Sequence, residues 1–178
     1  GAFGIVRVVY DVYGVHTAGA LGVMDALLAV AAFTVIYGSA RAVFQDDLKK
    51  RLAFSTVSQV SYIVLGVAMV GATSTIGGVV HLVHQGIMKI TLFLCAGNLA
   101  EELHVHAVSE MDGAGRLMPL TMGAFSVAAL GMIGVPPTAG FVSKWYLGIG
   151  AIEGGDAWVI AVLAASSLLN AVYFRPIL

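Results

Sequence analysis

Five stretches of this chain, roughly 18–45, 52–72, 76–99, 117–149 and 157–175, are each apolar over about 19 residues or more, the length an α-helix needs to cross a hydrocarbon core about 30 Å thick. Lipid offers no hydrogen bonds, so a chain that enters it must satisfy its own backbone, as helices or as a closed barrel. Composition chooses between the two. The chain is 59% hydrophobic and only 11% charged, with a mean hydropathy of +0.94. Its 22 glycines suit closely packed transmembrane helices better than alternating barrel strands. The expected fold is an all-α integral membrane protein: a polytopic helix bundle with one truncated and five complete transmembrane helices, forming a single transmembrane domain over 1–178.

The opening run GAFGIVRVVYDVYG is too short to span, has no initiator Met before it and lacks the layout of a signal peptide. It reads as a helix cut in the middle, and the sequence as an internal or truncated fragment. Cys95 is the one cysteine, so the chain can build neither a disulfide framework nor a thiolate metal site. A net charge of −1 excludes a nucleic-acid footprint. No cofactor motif is present, and none is expected in this chain.

The basic residues Arg41, Lys49, Lys50, Arg51, Arg116 and Arg175 fall on one side of the expected topology. The connectors at Tyr13–Thr17, Ala72–Thr75 and Gly150–Asp156 carry no Lys or Arg. By the positive-inside bias the basic side is cytoplasmic. The 117–149 stretch is too long for one straight crossing and contains GVPPTAG at 134–140. Pro136 and Pro137 remove backbone donors, while Gly134 and Gly140 permit non-helical dihedrals, so a helix break is expected there. Non-helical backbone at membrane depth needs protein or water around it, which points to a hydrated cavity.

Chemistry concentrates in GGVVHLVHQGIMKITLFLCAG. His81, Gln85 and Lys89 are four residues apart and lie on one helix face over about 12 Å. An intramembrane lysine costs at least about 2.5–3.5 kcal/mol on insertion scales, and its position inside the stretch makes snorkelling awkward. Histidine titrates near neutral pH, a desolvated amine surrenders its proton more readily than one in water, and Gln85 can hold a water between them. Together they describe a proton relay. His84, one residue off the stripe, reads equally as a packed core imidazole or as a further relay or water-binding position. Lys144 follows the proline break and faces the cavity expected there, or else anchors the interface beside Trp145 and Tyr146.

Lys49, Lys50 and Arg51 read from the residues alone as an ordinary basic connector. Asp25 and Arg7 are membrane-proximal charges, Asp25 being a further water-binding candidate. Glu101, Glu102, His104 and His106 have no fixed ligand spacing and read as solvated loop charge rather than as a metal site.

Three motifs carry a resemblance: DDLKKRLAFSTVSQVSYIVLG at 46–66, HLVHQGIMKITLFLCAG at 81–97 and GMIGVPPTAGFVSKW at 131–145. They resemble the antiporter-like, proton-translocating subunits shared by respiratory complex I, Mrp-type cation/proton antiporters (the A and D subunit type) and membrane-bound hydrogenases. The resemblance implies a fourteen-helix parent with two inverted five-helix repeats, of which this chain matches the end of the eighth helix through the thirteenth. It implies roles in proton transfer for Lys49, His81, Lys89 and Lys144. Many members have a second histidine four residues after the first, where this chain has Gln85 with His84 beside it. Lys144 in FVSKW is slightly more similar to the Mrp and hydrogenase branch than to one complex I subunit type.

The implied function is proton translocation as part of a larger complex, a NADH:quinone oxidoreductase, a hydrogenase or a cation/proton antiporter. Its partners would be the lipid bilayer, other membrane subunits and protons, in a bacterial or archaeal inner membrane. The alternatives are an Mrp-type Na⁺/H⁺ antiporter subunit and a structural membrane anchor of a redox complex. The chain itself is expected to carry out no catalytic chemistry, although it could belong to an NADH:quinone oxidoreductase-type translocase.

Overall fold

A computed structural model describes residues 1–14, 17 and 22–178. Positions 15 and 16 of the first connector, and 18–21 at the start of the first complete stretch, lie outside the described residues. Helix α1 (Ala2–Arg7) continues as a π-helical segment, Val8–Tyr13, with an exposed Arg7–Asp11 ion pair. Then follow α2 (Val23–Val43), α3 (Leu48–Ala68) and α4 (Ala72–Glu102). After a loop containing a 3₁₀ turn (Val108–Glu110) come a single turn, α5 (Ala114–Leu117), and then α6 (Pro119–Ile133), α7 (Ala139–Glu153) and α8 (Trp158–Phe174).

Three of these helices, α2, α3 and α4, are long and apolar enough to cross a membrane, while α6 and α8 are shorter apolar helices. α3 begins four residues before the apolar stretch expected at 52. The Asp47 carboxylate caps it by accepting the Lys50 N–H at 2.9 Å, so the charged first turn is helical although it is not apolar. α4, with 31 residues, is about 46 Å long and overshoots a single bilayer core. α6 ends on Gly134 at φ 88°, a left-handed cap that glycine adopts without strain. α7 begins at Ala139, and Pro136 and Pro137 lie in the non-helical segment between the two helices.

α3 and α4 form the centre of the bundle. α2 packs on α3, α6 and α7 pack on α4, and α8 closes against α2, α6 and α7. Backbones come very close at the α4–α7 crossing, where a Cβ added to Gly150 would lie 2.6 Å from the Ser74 backbone. Small residues permit such approaches, and close packing is what joins helices in lipid. Gly150→Leu is therefore expected to push α7 off α4. A drop of at least several degrees in the unfolding temperature of detergent-solubilised protein would show it, and an unchanged value would contradict the packing.

Large apolar side chains face outward, and several polar ones are enclosed within the apolar core. Leu120, Val127 and Leu168 are about 70–90% exposed, whereas Lys89 is 5% exposed and His81, Gln59, Asn170 and Ser143 are fully buried. Water would favour the opposite arrangement, so the exterior is built for lipid.

On the side that carries the basic residues, two connectors are clasped together. Leu48 N–H donates to His106 O at 2.9 Å and Val108 N–H to Asp46 O at 2.8 Å. The Ser109 hydroxyl and backbone N–H both bond the Asp46 carboxylate, which holds it below the usual carboxylate range. Glu110 accepts the His106 and Ala107 amides at 2.9 and 3.0 Å.

Candidate functional site

α3 carries a polar stripe at Arg51, Ser55, Gln59 and Tyr62, spaced four, four and three residues apart and therefore on one face. It faces the His81, Gln85 and Lys89 stripe of α4, which runs in the opposite direction. All seven side chains are buried. The two stripes, with residues from α7 and α8, make a polar tract through an otherwise apolar interior.

At one end, the Arg51 guanidinium donates to Gln45 O at 2.7 Å and to Tyr173 O at 2.6 Å, joining the α2–α3 connector to the end of α8. Lys49 and Lys50, read from sequence with Arg51 as a basic connector, lie exposed in the first turn of α3, whereas the fold encloses Arg51. About one helical turn deeper, Lys89 Nζ donates to Leu52 O at 3.1 Å and to the Ser55 hydroxyl. Next comes His81, clamped on both sides: Nε2 is 3.1 Å from Gln59 Oε1 and Nδ1 is 2.8 Å from Ser143 Oγ.

Tyr62 links His81 to the last cation. Its ring packs on the imidazole with centroids 5.1 Å apart, and Lys144 Nζ lies 5.4 Å from the centroid of the same ring. The Tyr62 hydroxyl is buried with no hydrogen-bond partner among the described residues. Lys144 Nζ donates to Met132 O at 3.1 Å, Ile133 O at 2.8 Å and Ser167 Oγ at 2.9 Å. Met132 and Ile133 are the last residues of α6, whose final carbonyls have no helical partners, so the ammonium caps a helix C-terminus where positive charge is favoured. A cleft of about 420 Å³ between α7 and α8 borders Lys144 and Ser167 and is otherwise apolar.

Behind Lys144, Asn170 Nδ2 donates to Met132 O at 3.0 Å, and Ser39 Oγ lies 2.8, 2.9 and 3.3 Å from Ser58 Oγ, Ser166 Oγ and Asn170 Oδ1. This cluster ties α2, α3 and α8 together.

The fold therefore gathers Lys89, Gln85, His81 and Lys144 into one tract. Gly134, Pro136, Pro137 and Gly140 lie at or beside the α6–α7 junction, and Gly134 borders the Lys144 stem. His84 is half-buried and off the stripe, with Nδ1 unpartnered among the described residues. Lys49 is exposed in the first turn of α3, and Asp25 is exposed in the first turn of α2; neither joins the tract. Ser55, Gln59, Tyr62, Ser143 and Arg51 were not singled out from sequence as members of the site. The α3 periodicity was the available signal for four of them, since Arg51, Ser55, Gln59 and Tyr62 repeat at helical spacing along an apolar helix.

A lipid-facing helical bundle that encloses such a tract defines an integral membrane protein with polar chemistry inside it. The chain belongs to the NADH:quinone oxidoreductase/Mrp antiporter transmembrane family, whose pattern matches residues 1–170. It is 46% identical over 175 residues to NADH-quinone oxidoreductase subunit N of Desulforudis audaxviator, covering 97% of this chain and 34% of that protein. It is 34% identical over 157 residues to hydrogenase-4 component B of Escherichia coli, covering 82% of this chain and 23% of that one. Among solved structures, a chain of the Mrp complex from Dietzia sp. DQ12-45-1b superposes with a TM-score of 0.90 at 31% identity, covering 99% of this chain and 32% of that chain. The chain thus spans about a third or less of the length of the relatives it matches.

Proposed function

We propose that this segment is the proton-carrying part of a subunit that moves H⁺ across a bacterial or archaeal inner membrane, within a larger complex of the oxidoreductase, hydrogenase or antiporter kind. The supporting observation is the pair of buried lysines, Lys89 and Lys144, each held by carbonyls and hydroxyls, with His81 between them on one polar tract. An amine bonded to neutral acceptors has no carboxylate to lock its proton in place. A buried, uncompensated charge is costly to keep, so such a group suits transient rather than permanent protonation.

In this reading α6 and α7 are the two halves of one crossing, broken at 134–138. The bundle then has five crossings plus part of another, with the basic side cytoplasmic. A proton leaves Lys89, passes a water held beside Gln85, which is about one turn from each neighbour, reaches His81 and continues past Tyr62 to Lys144. The chain supplies no chemistry beyond holding and passing the proton. The driving reaction belongs to partner subunits, and Lys49 and His84 serve as entry or side positions. Sodium exchange is the second reading and rests on the likeness to the Mrp complex. It predicts transport that stops when Na⁺ is withdrawn, whereas the proton reading predicts transport that continues.

The test is proton uptake by proteoliposomes holding the complete complex. His81→Phe keeps a planar ring without titratable nitrogens and is expected to lower the rate at least tenfold with assembly intact on a native gel. A near-normal rate would favour a structural anchor.

A further inference from the structure

We infer that Ser143 passes protons to and from His81, its hydroxyl turning between two acceptors so that the ring can gain and lose a proton with no heavy atom moving, an inference that rests on the relay reading above.

The argument is a count of hydrogens. Ser143 Oγ lies 2.8 Å from His81 Nδ1 and also donates to Gly140 O at 3.2 Å. A hydroxyl has one hydrogen, so it serves one of these acceptors at a time. On the other side of the ring, the Gln59 amide is oriented with Oε1, which can only accept, toward Nε2, and with this orientation His81 Nε2 carries a hydrogen in both charge states.

In the neutral ring, Nε2–H donates to Gln59 and the Nδ1 lone pair accepts the Ser143 O–H. When a proton arrives, supplied by the Lys89 ammonium through water, it bonds to Ser143 Oγ as the hydroxyl hydrogen already aimed at Nδ1 crosses to the ring. The O–H bond broken is replaced by the new one, whose hydrogen turns to Gly140 O, and Nδ1–H donates to Ser143 Oγ. Both nitrogens of the imidazolium have acceptors, and the hydroxyl keeps its own. On release Nδ1–H returns its hydrogen to Oγ, while Oγ gives the hydrogen aimed at Gly140 O to water on the onward side. An ordinary packed histidine, with a carbonyl on one nitrogen and a donor on the other, is satisfied in one state alone. Here the same atoms satisfy both, and all of them are fully buried or enclosed in the tract.

Ser143 is the first buried polar side chain of α7 after the break and immediately precedes Lys144. Its position ties the charge state of His81 to the helix that carries the last lysine.

The experiment compares Ser143→Ala, Ser143→Thr and His81→Phe in the complete complex, with proton uptake and thermal unfolding measured for each. Ser143→Ala is expected to lower uptake about tenfold or more, the loss that follows when a hydrogen bond to a charged partner is removed. Ser143→Thr, which keeps the hydroxyl, is expected to recover most of it. The imidazole ring modes in infrared difference spectra, which report hydrogen bonding at Nδ1, are expected to shift in Ser143→Ala. Normal uptake by Ser143→Ala, or an unshifted His81 band, would overturn the inference while leaving the relay standing if His81→Phe is inactive. Near-normal uptake by His81→Phe would instead overturn the relay reading and this inference with it.

Discussion

Lys89→Ala is expected to reduce coupled proton transport by more than about a hundredfold while the complex still assembles. The amine is 5% exposed and bonds Leu52 O and the Ser55 hydroxyl, both of which retain other partners on α3 when it is removed. Assembly therefore loses little, whereas the tract loses the amine next to its Arg51 end. A hundredfold change corresponds to about 2.7 kcal/mol in an activation barrier. Lys89→Arg is expected to be nearly as inactive as alanine, because a guanidinium keeps its proton under all ordinary conditions. Charge and donors would be preserved, and release would not. Proton uptake at matched protein levels, with assembly followed on a native gel, checks both variants. Activity in Lys89→Arg would show that a fixed charge suffices and that the amine is not a carrier.

The second large effect is at Lys144, where two roles separate. Lys144→Ala strips the C-terminal carbonyls of α6 of their cation and leaves Ile133 O without its donor, while Met132 O keeps the Asn170 amide. The lost bond costs about 1–3 kcal/mol, so both transport and stability are expected to fall. Lys144→Arg keeps donors and charge at the cap. It is expected to restore thermal stability in detergent but not proton uptake. Recovery of both by arginine would make Lys144 a structural cap and shorten the relay to His81 and Lys89.

How much of this was legible depended on what an apolar helix makes conspicuous. A lysine inside such a helix stands out, so Lys89 could be picked out, and the four-residue spacing carried Gln85 and His81 with it. Lys144 stood out beside the proline pair for the same reason. Serine, glutamine and tyrosine carry no charge and stand out less than lysine in a transmembrane helix, so Ser55, Gln59, Tyr62 and Ser143 are recognised through their contacts. Those contacts depend on how α3, α4 and α7 dock.

Arg51 shows the limit most clearly. It shares one basic cluster with Lys49 and Lys50, and no composition rule separates three consecutive cations. Successive helical residues point about 100° apart, and only the docking of α8 turns Arg51 inward and leaves Lys49 outward. Lys49 was singled out from the family resemblance, and the tract built here does not reach it. Helix ends were also hard to place, since an apolar window misses a charged first turn such as Lys49 to Arg51, which Asp47 caps.

The central claim is that His81 exchanges its proton as the complex turns over. The most direct measurement is time-resolved infrared difference spectroscopy of the complete complex in lipid, with histidine ring nitrogens isotopically labelled. The expected result is a protonation-sensitive imidazole band that rises and decays with proton uptake and is missing in His81→Phe. Proton transport at the normal rate with no such band would contradict the account.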